Sequence, residues 1–280
     1  MHHYSDKSIT EGINLTTITF LGTGGGRFAT IYQARRTGGI YISDSARIHV
    51  DPGPGALVAM KKLSIDPART DAILISHCHP DHYTDAEILI EGMTCGGFGR
   101  RGVVIGSKSV IEGENGFGPA ISRYHRSLPE SIMSLKPGDR VSVDGVLIEA
   151  TPTIHSDPTS IGFRFHTSSG TISYVSDSEI GEEVIKAHRG CRVIILCVTR
   201  PLGSRISYHM NTDDAAEFVK SVCPKIVLLT HFGMKLLSEG AEKQAKYVEK
   251  ESGVKTVAMT DFASVHVGND VRIRRKGHRN

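Results

Sequence analysis

Short apolar runs, three to seven residues long and rich in β-branched side chains, recur along the whole chain. That pattern predicts strands. In the first part they fall at Leu15–Leu21, Gly39–Ile42, Ile48–Val50, Ala72–Ile75 and Val103–Ile105. In the second they fall at Val146–Ala150, Ile161–Phe165, Thr171–Val175, Val193–Cys197, Ile226–Leu229, Thr256–Ala258, Val265–Val267 and Val271–Ile273. Helical spacing predicts Pro54–Leu63, Asp85–Glu91, Glu179–His188, Asp213–Val222 and Met234–Lys250. Proline opens the first of these. Thr84 with Glu87 fits a capping box for the second, and Asn211 or Thr212 suits the N-cap of the fourth. Strands followed by covering helices imply an α/β (α+β) chain in four layers, αββα. We expect one domain over residues 1–280, with a loop-rich, Gly- and Arg-containing insertion at about 92–138.

Composition narrows the class. An apolar fraction of 39% over 280 residues supports a sizeable core, and no stretch has a disordered composition. The longest apolar runs are too short to span a bilayer, and no signal-peptide core is visible in the polar leader Met1–Thr10. The five cysteines show no paired spacing, which implies reduced thiols and a cytoplasmic location. A net charge of +3 does not by itself imply a nucleic-acid partner.

The 14 histidines matter by position. Ser76-His77-Cys78-His79-Pro80-Asp81-His82 lies between an apolar strand and a helix, on a loop where side chains can converge. Imidazole and carboxylate are common ligands for zinc, iron and manganese. His77 and His79 can point the same way from an extended segment, while Asp81 and His82, beyond the proline, can turn toward a second ion. His155, Asp177 and His231 each stand just beyond a later apolar strand. Together these seven residues make a complete ligand set for two metals.

That order of motifs resembles the metallo-β-lactamase superfamily over nearly the whole chain. The resemblance implies a four-layer metallo-β-lactamase sandwich and a hydrolase that activates water with two divalent ions: Zn2+ first, Mn2+ or Fe2+ as alternatives. By analogy one ion takes His77, His79 and His155, the other Asp81, His82 and His231, and Asp177 bridges them. Asp51, in Ile48-His49-Val50-Asp51-Pro52-Gly53, matches a structural aspartate beneath the metal loop. A carboxylate at Asp177, where antibiotic-hydrolysing members carry cysteine, points to phosphodiesters, thioesters or lactones instead.

Phe20-Leu21-Gly22-Thr23-Gly24-Gly25-Gly26-Arg27 resembles the start of the tRNase Z and cyclic phosphodiesterase branch. Gly24, Gly26 and Ala29 also fit a dinucleotide fingerprint, but no clear helix follows. We therefore expect a glycine turn beside the metals whose Gly24 and Gly25 amides are free to meet an anion. Tyr208-His209-Met210-Asn211-Thr212 is similar to the branch's His-Ser-Thr segment. That makes His209 the candidate general acid, with Asp81 orienting the attacking water. Arg200 is a candidate substrate clamp. No glutamate occupies Leu196–Pro201, and the tRNA-grasping arm of the branch is not evident. The basic tail from Arg272 to Arg279 reads as a solvated terminus or an aid to nucleic-acid affinity.

The leading expectation is a phosphodiesterase acting on RNA or a small (cyclic) anionic diester, without a membrane partner; a homodimer is the expected assembly by analogy with the family. The alternative is a glyoxalase II-like thioester or lactone hydrolase on the same metals. A di-iron redox domain is disfavoured, because Cys78 and Pro80 stand where its glutamate is usual.

Overall fold

The computed structural model describes residues 15–275. The leader Met1–Thr10 and the tail residues Lys276, His278 and Arg279 lie outside the described residues. The first half runs β1 (Thr16–Phe20), α1 (Arg27–Ile31), β2 (Ile40–Ser43), β3 (Arg47–Val50), α2 (Ala56–Leu63), β4 (Ala72–Ile75), α3 (Pro80–Tyr83), α4 (Ala86–Met93), β5 (Val103–Gly106), α5 (Lys108–Ile111), α6 (Arg123–Arg126) and β6 (Ser131–Ser134). The second half runs β7 (Arg140–Val143), β8 (Val146–Pro152), β9 (Ile161–Thr167), β10 (Gly170–Tyr174), α7 (Glu182–His188), β11 (Val193–Cys197), α8 (Thr212–Val222), β12 (Ile226–Thr230), α9 (Met234–Glu239), α10 (Ala241–Ser252), β13 (Thr256–Ala258), β14 (Ser264–Val267) and β15 (Val271–Arg274).

These strands form two sheets. One has the order β15-β14-β1-β2-β3-β4-β5-β6 and the other β13-β12-β11-β10-β9-β8-β7. Side-chain alternation explains the layers. In β4, Ala72 and Leu74 enter the core between the sheets, while Ile73 and Ile75 meet helices outside. In β11, Val193, Ile195 and Cys197 face the inter-sheet core, and Ile194 and Leu196 face the opposite helices. Strands covered on both sides carry continuous apolar runs, which is why they were readable. Three hydrophobic clusters result: one between the sheets and one under each helical layer. The arrangement is αββα, as the sequence predicts. Among the described residues no helix is long and apolar enough to cross a membrane.

Several local expectations change. Residues 92–138 contribute β5 and β6 to the first sheet as well as two short helices. Strands β6 and β7 escaped prediction because their polar, partly exposed sequences lie at the edges of the two sheets. The predicted Met234–Lys250 helix breaks at Gly240, whose φ of 94° no continuous helix tolerates. The Thr84–Glu87 capping box does not form. Thr84 instead hydrogen-bonds back to Pro80, and Glu87 accepts the Ser122 amide at 2.7 Å. A capping box does occur at Asn211 with Asp214, at the start of α8.

Candidate metal centre

Strand direction brings the site together. β3 and β4 are parallel, β10, β11 and β12 are parallel, and β8 runs with β10 because each is antiparallel to β9. Their C-terminal ends open on one edge of the sandwich and carry Asp51, His77, His155, Asp177, Thr199 and His231. Polar groups at such ends escape the apolar core while remaining fixed by it. Three of these ends turn sharply through left-handed residues: Asp51 (φ 52°), Ser176 (φ 63°) and His231 (φ 61°). Non-glycine residues held this way cost roughly 1–3 kcal/mol each, which the surrounding packing offsets.

The loop from Ser76 to His82 rests on Asp51. One Asp51 oxygen accepts the Ser76 amide at 2.7 Å; the other accepts Ser76 Oγ at 2.7 Å, Tyr174 Oη at 2.7 Å and His82 Nδ1 at 2.8 Å. Gly53 lets the Asp81 carbonyl approach where a Cβ would collide. On the other side, Asp157 accepts the Cys78 amide at 2.9 Å, the Ser109 hydroxyl, and the Thr159 amide at 3.0 Å. Asp157 thus straps the first sheet's loop to the segment carrying His155.

All seven predicted ligands converge. His79 Nδ1 lies 3.0 Å from both His77 Nε2 and His155 Nε2. His231 Nε2 lies 3.0 Å from His82 Nε2 and 3.2 Å from Asp81 Oδ2. Asp177 lies between these groups, 3.6 Å from His82 Nε2 and 3.1 Å from His231 Nδ1. Tautomers follow from the outer partners. His155 Nδ1 donates to the Tyr208 carbonyl at 2.9 Å and His82 Nδ1 donates to Asp51. Carbonyl and carboxylate only accept, so each Nδ1 carries a hydrogen and each Nε2 is the ring atom that faces the cage.

The electrostatics match cation binding. Burial holds His77 well below the usual imidazole range and His155 at about 4, keeping them neutral. Burial alone would lower His82 too, but the charges of Asp81 and Asp51 outweigh it and hold it well above that range. Burial would raise Asp81 and Asp177, yet the surrounding histidines hold both well below the usual carboxylate range. The cage therefore favours a positive charge at its centre. Asp177 Oδ1 is buried and accepts no hydrogen bond, as suits an oxygen reserved for an ion. Imidazoles and ionised carboxylates at these separations fit one or two divalent cations, with the proton that the carboxylates favour on His82 giving way to the ion.

His209 joins the cluster at its open side, with Nε2 3.3 Å from Asp177 Oδ2 and Nδ1 donating to the Ser207 carbonyl at 3.1 Å. Arg200 stands on the rim of the cleft that His209 lines. Gly24 and Gly25 depart from expectation. Gly24 donates to the Arg36 carbonyl and Gly25 to that of Phe232, so neither amide is free for an anion. The neighbouring Gly26 amide grips Asp81 Oδ2 at 2.8 Å. Gly25 matters for another reason: a Cβ there would overlap the His231 ring. A five-residue helix, α1, does follow these glycines, contrary to the sequence reading, but it caps an antiparallel β1–β2 pair and not a dinucleotide-binding βαβ unit.

Sequence reasoning missed Asp157, Tyr174, Thr199 and Tyr208. Thr199 Oγ1 meets His231 Nδ1 at 3.1 Å. Three of the four reach the site only as partners of ligands or of Asp51, and Asp157 reaches it through the loop backbone. Only His155-Ser156-Asp157-Pro158 carried a readable turn signal.

A family model for a beta-lactamase superfamily domain matches residues 46–232. An uncharacterized protein of Methanocaldococcus jannaschii is 42% identical over 243 residues, covering 86% of this chain and 91% of that one. A ribonuclease Z of Methanosarcina acetivorans is 29% identical over 147 residues, 52% of this chain and 47% of that one. Among solved structures, the metallo-beta-lactamase fold protein YhfI of Bacillus subtilis has a TM-score of 0.76 at 19% identity, over 90% of this chain and 99% of that one. A diphosphatase of the PhnP family has a TM-score of 0.68 at 17% identity, over 90% of this chain and 97% of that one. At those identities the two structures speak to fold.

Proposed function

The chain belongs to the beta-lactamase superfamily and is a metal-dependent hydrolase, and from that premise we propose that it cleaves phosphodiesters with a dinuclear centre. His77, His79 and His155 would hold one ion and Asp81, His82 and His231 the other, with Asp177 between them. When bound, two divalent ions, most naturally zinc, lower the pKa of water toward ~7 and draw charge from phosphoryl oxygens.

The chain's own residues do the rest. Asp81, fixed through one oxygen by the Gly26 amide, would orient the attacking water, whose proton passes to solvent. Arg200 steadies a non-bridging phosphate oxygen. His209 protonates the departing oxygen. The observation that carries the reading is His209 itself: an imidazole on the cleft side of the cage, held by the Ser207 carbonyl and Asp177. A thioester, whose thiolate departs unprotonated, needs no such donor. The ribonuclease Z likeness supports RNA as one phosphodiester class to test.

His209→Ala is expected to keep its metal content and lose ~10²–10⁴ in turnover of a 2′,3′-cyclic nucleotide. The loss on bis(p-nitrophenyl) phosphate is expected to be smaller, because a phenolate departs without a proton. Unchanged turnover of the cyclic nucleotide overturns the role. Preferential hydrolysis of thioesters or lactones by the native protein overturns the phosphodiesterase reading.

A further inference from the structure

The cleft beside the cage has a volume of about 610 Å³, ample for a small ligand. One wall is α1, which turns Ala29 into the core and leaves Phe28 and Ile31 63% and 64% exposed. Ile206 and Met234 line the same cleft, at 39% and 42%. A single exposed apolar side chain is ordinary, but four lining one cleft make a surface built for an apolar guest. The cleft is continuous with His79, Asp81, Asp177 and His209, so that guest belongs to whatever reacts there.

The charges are equally organised. Arg200 and Lys235 both donate to Ser204 Oγ, at 3.0 and 3.1 Å, and neither has a carboxylate partner among the described residues. They stand ready for an anion. The cleft's carboxylates and imidazoles belong to the cage or to His209. Among the described residues no side-chain amide lines it to read the edge of a nucleobase, and Phe28 is the one carbon-ring aromatic there, a poor platform for stacked bases.

Resting on the phosphodiesterase reading, we propose that the substrate is an amphiphilic phosphodiester, whose aliphatic substituent lies against Phe28, Ile31, Ile206 and Met234 while its phosphate meets the cage and the Arg200–Lys235 pair. Burial of successive methylenes then raises specificity with chain length, up to ~4-fold per methylene fully withdrawn from water.

The test uses methyl, butyl and octyl 4-nitrophenyl phosphodiesters, thymidine 5′-(4-nitrophenyl phosphate) and an octanoyl thioester with the metal-loaded protein. In parallel, calorimetry measures binding of methyl- and octylphosphonate. We expect kcat/KM for the octyl diester to exceed that for the methyl diester by at least ~10-fold, octylphosphonate to bind correspondingly tighter, and the thymidine diester to fall below the octyl one. In Ile31→Asp and Met234→Asp, both at exposed positions, the octyl-to-methyl ratios for turnover and binding are expected to fall toward one. A flat chain-length series, or preference for the thymidine diester, overturns this proposal and leaves the phosphodiesterase reading intact. Hydrolysis of the thioester with no diester cleaved overturns that reading instead.

Discussion

Gly25 shows how much one missing methyl can decide. Its amide is engaged by Phe232 and its α-carbon abuts the His231 imidazole. Gly25→Ala is therefore expected to displace His231 and, if the centre is dinuclear as proposed, to halve the metal content from two ions per chain toward one, as read by elemental analysis. Two ions retained in that variant would show that the ring has room to move. The seven candidate ligands were legible because each is a polar residue just beyond an apolar run, a contrast visible in sequence. Their supports were not. Tyr174 ends a strand among apolar neighbours and reads as core, and Thr199 reads as ordinary loop. Nothing in the order of residues announces that their hydroxyls meet Asp51 and His231. The glycine run packs against the cage, but the Gly24 and Gly25 amides are spent on carbonyls, because hydrogen-bond partners distant in sequence decide which amides are free.

At the scale of elements, α7 contributes a titrating group away from the site. His188 is fully buried, with Nδ1 2.5 Å from Ser173 Oγ and Nε2 without a partner. Burial, helped by the charge of Arg164, pushes it down to about 3. Between the unfolded value near 6.5 and about 3, the unfolded chain binds a proton that the folded chain refuses. Stability is thus present above pH 6.5 and lost as pH falls through that window, by up to ~1.4 kcal/mol per unit. Melting curves with metal chelated should show a shallower acid decline in His188→Gln than in the native chain; parallel declines would discount the histidine. Element prediction succeeded where burial was two-sided, as in β11 and β12, and failed where it was slight, as in β6, or where one glycine redirected the backbone, as at Gly240. Helix α1 was missed because its apolar face turns to a cleft and not to the core, so no core periodicity marks it.

For the whole molecule, the decisive feature is that the cage straddles the layers. His77, His79, Asp81 and His82 follow the first sheet, whereas His155, Asp177 and His231 follow the second. Ions held there tie the two sheets directly, and we propose that the chain unfolds as one unit. Ligand linkage gives ~4 kcal/mol when free metal exceeds its dissociation constant 1,000-fold. For a chain of this size that corresponds to a fall in Tm of ~10 °C on chelation. Calorimetry should show a single transition with and without metal. Two separated transitions, or a Tm indifferent to chelation, would contradict the proposal.

Asp157 carries a kinetic consequence. It lashes the Cys78 amide, Ser109 and the Thr159 turn together, and so holds the loops that carry the two halves of the cage in register without help from an ion. Cation capture at such a pre-arranged cage would need little rearrangement, and we expect its speed to follow the rate at which the ion sheds its own hydration shell. Severing the strap would make loading wait on loop reorganisation, and uptake would become sluggish even where final occupancy is full.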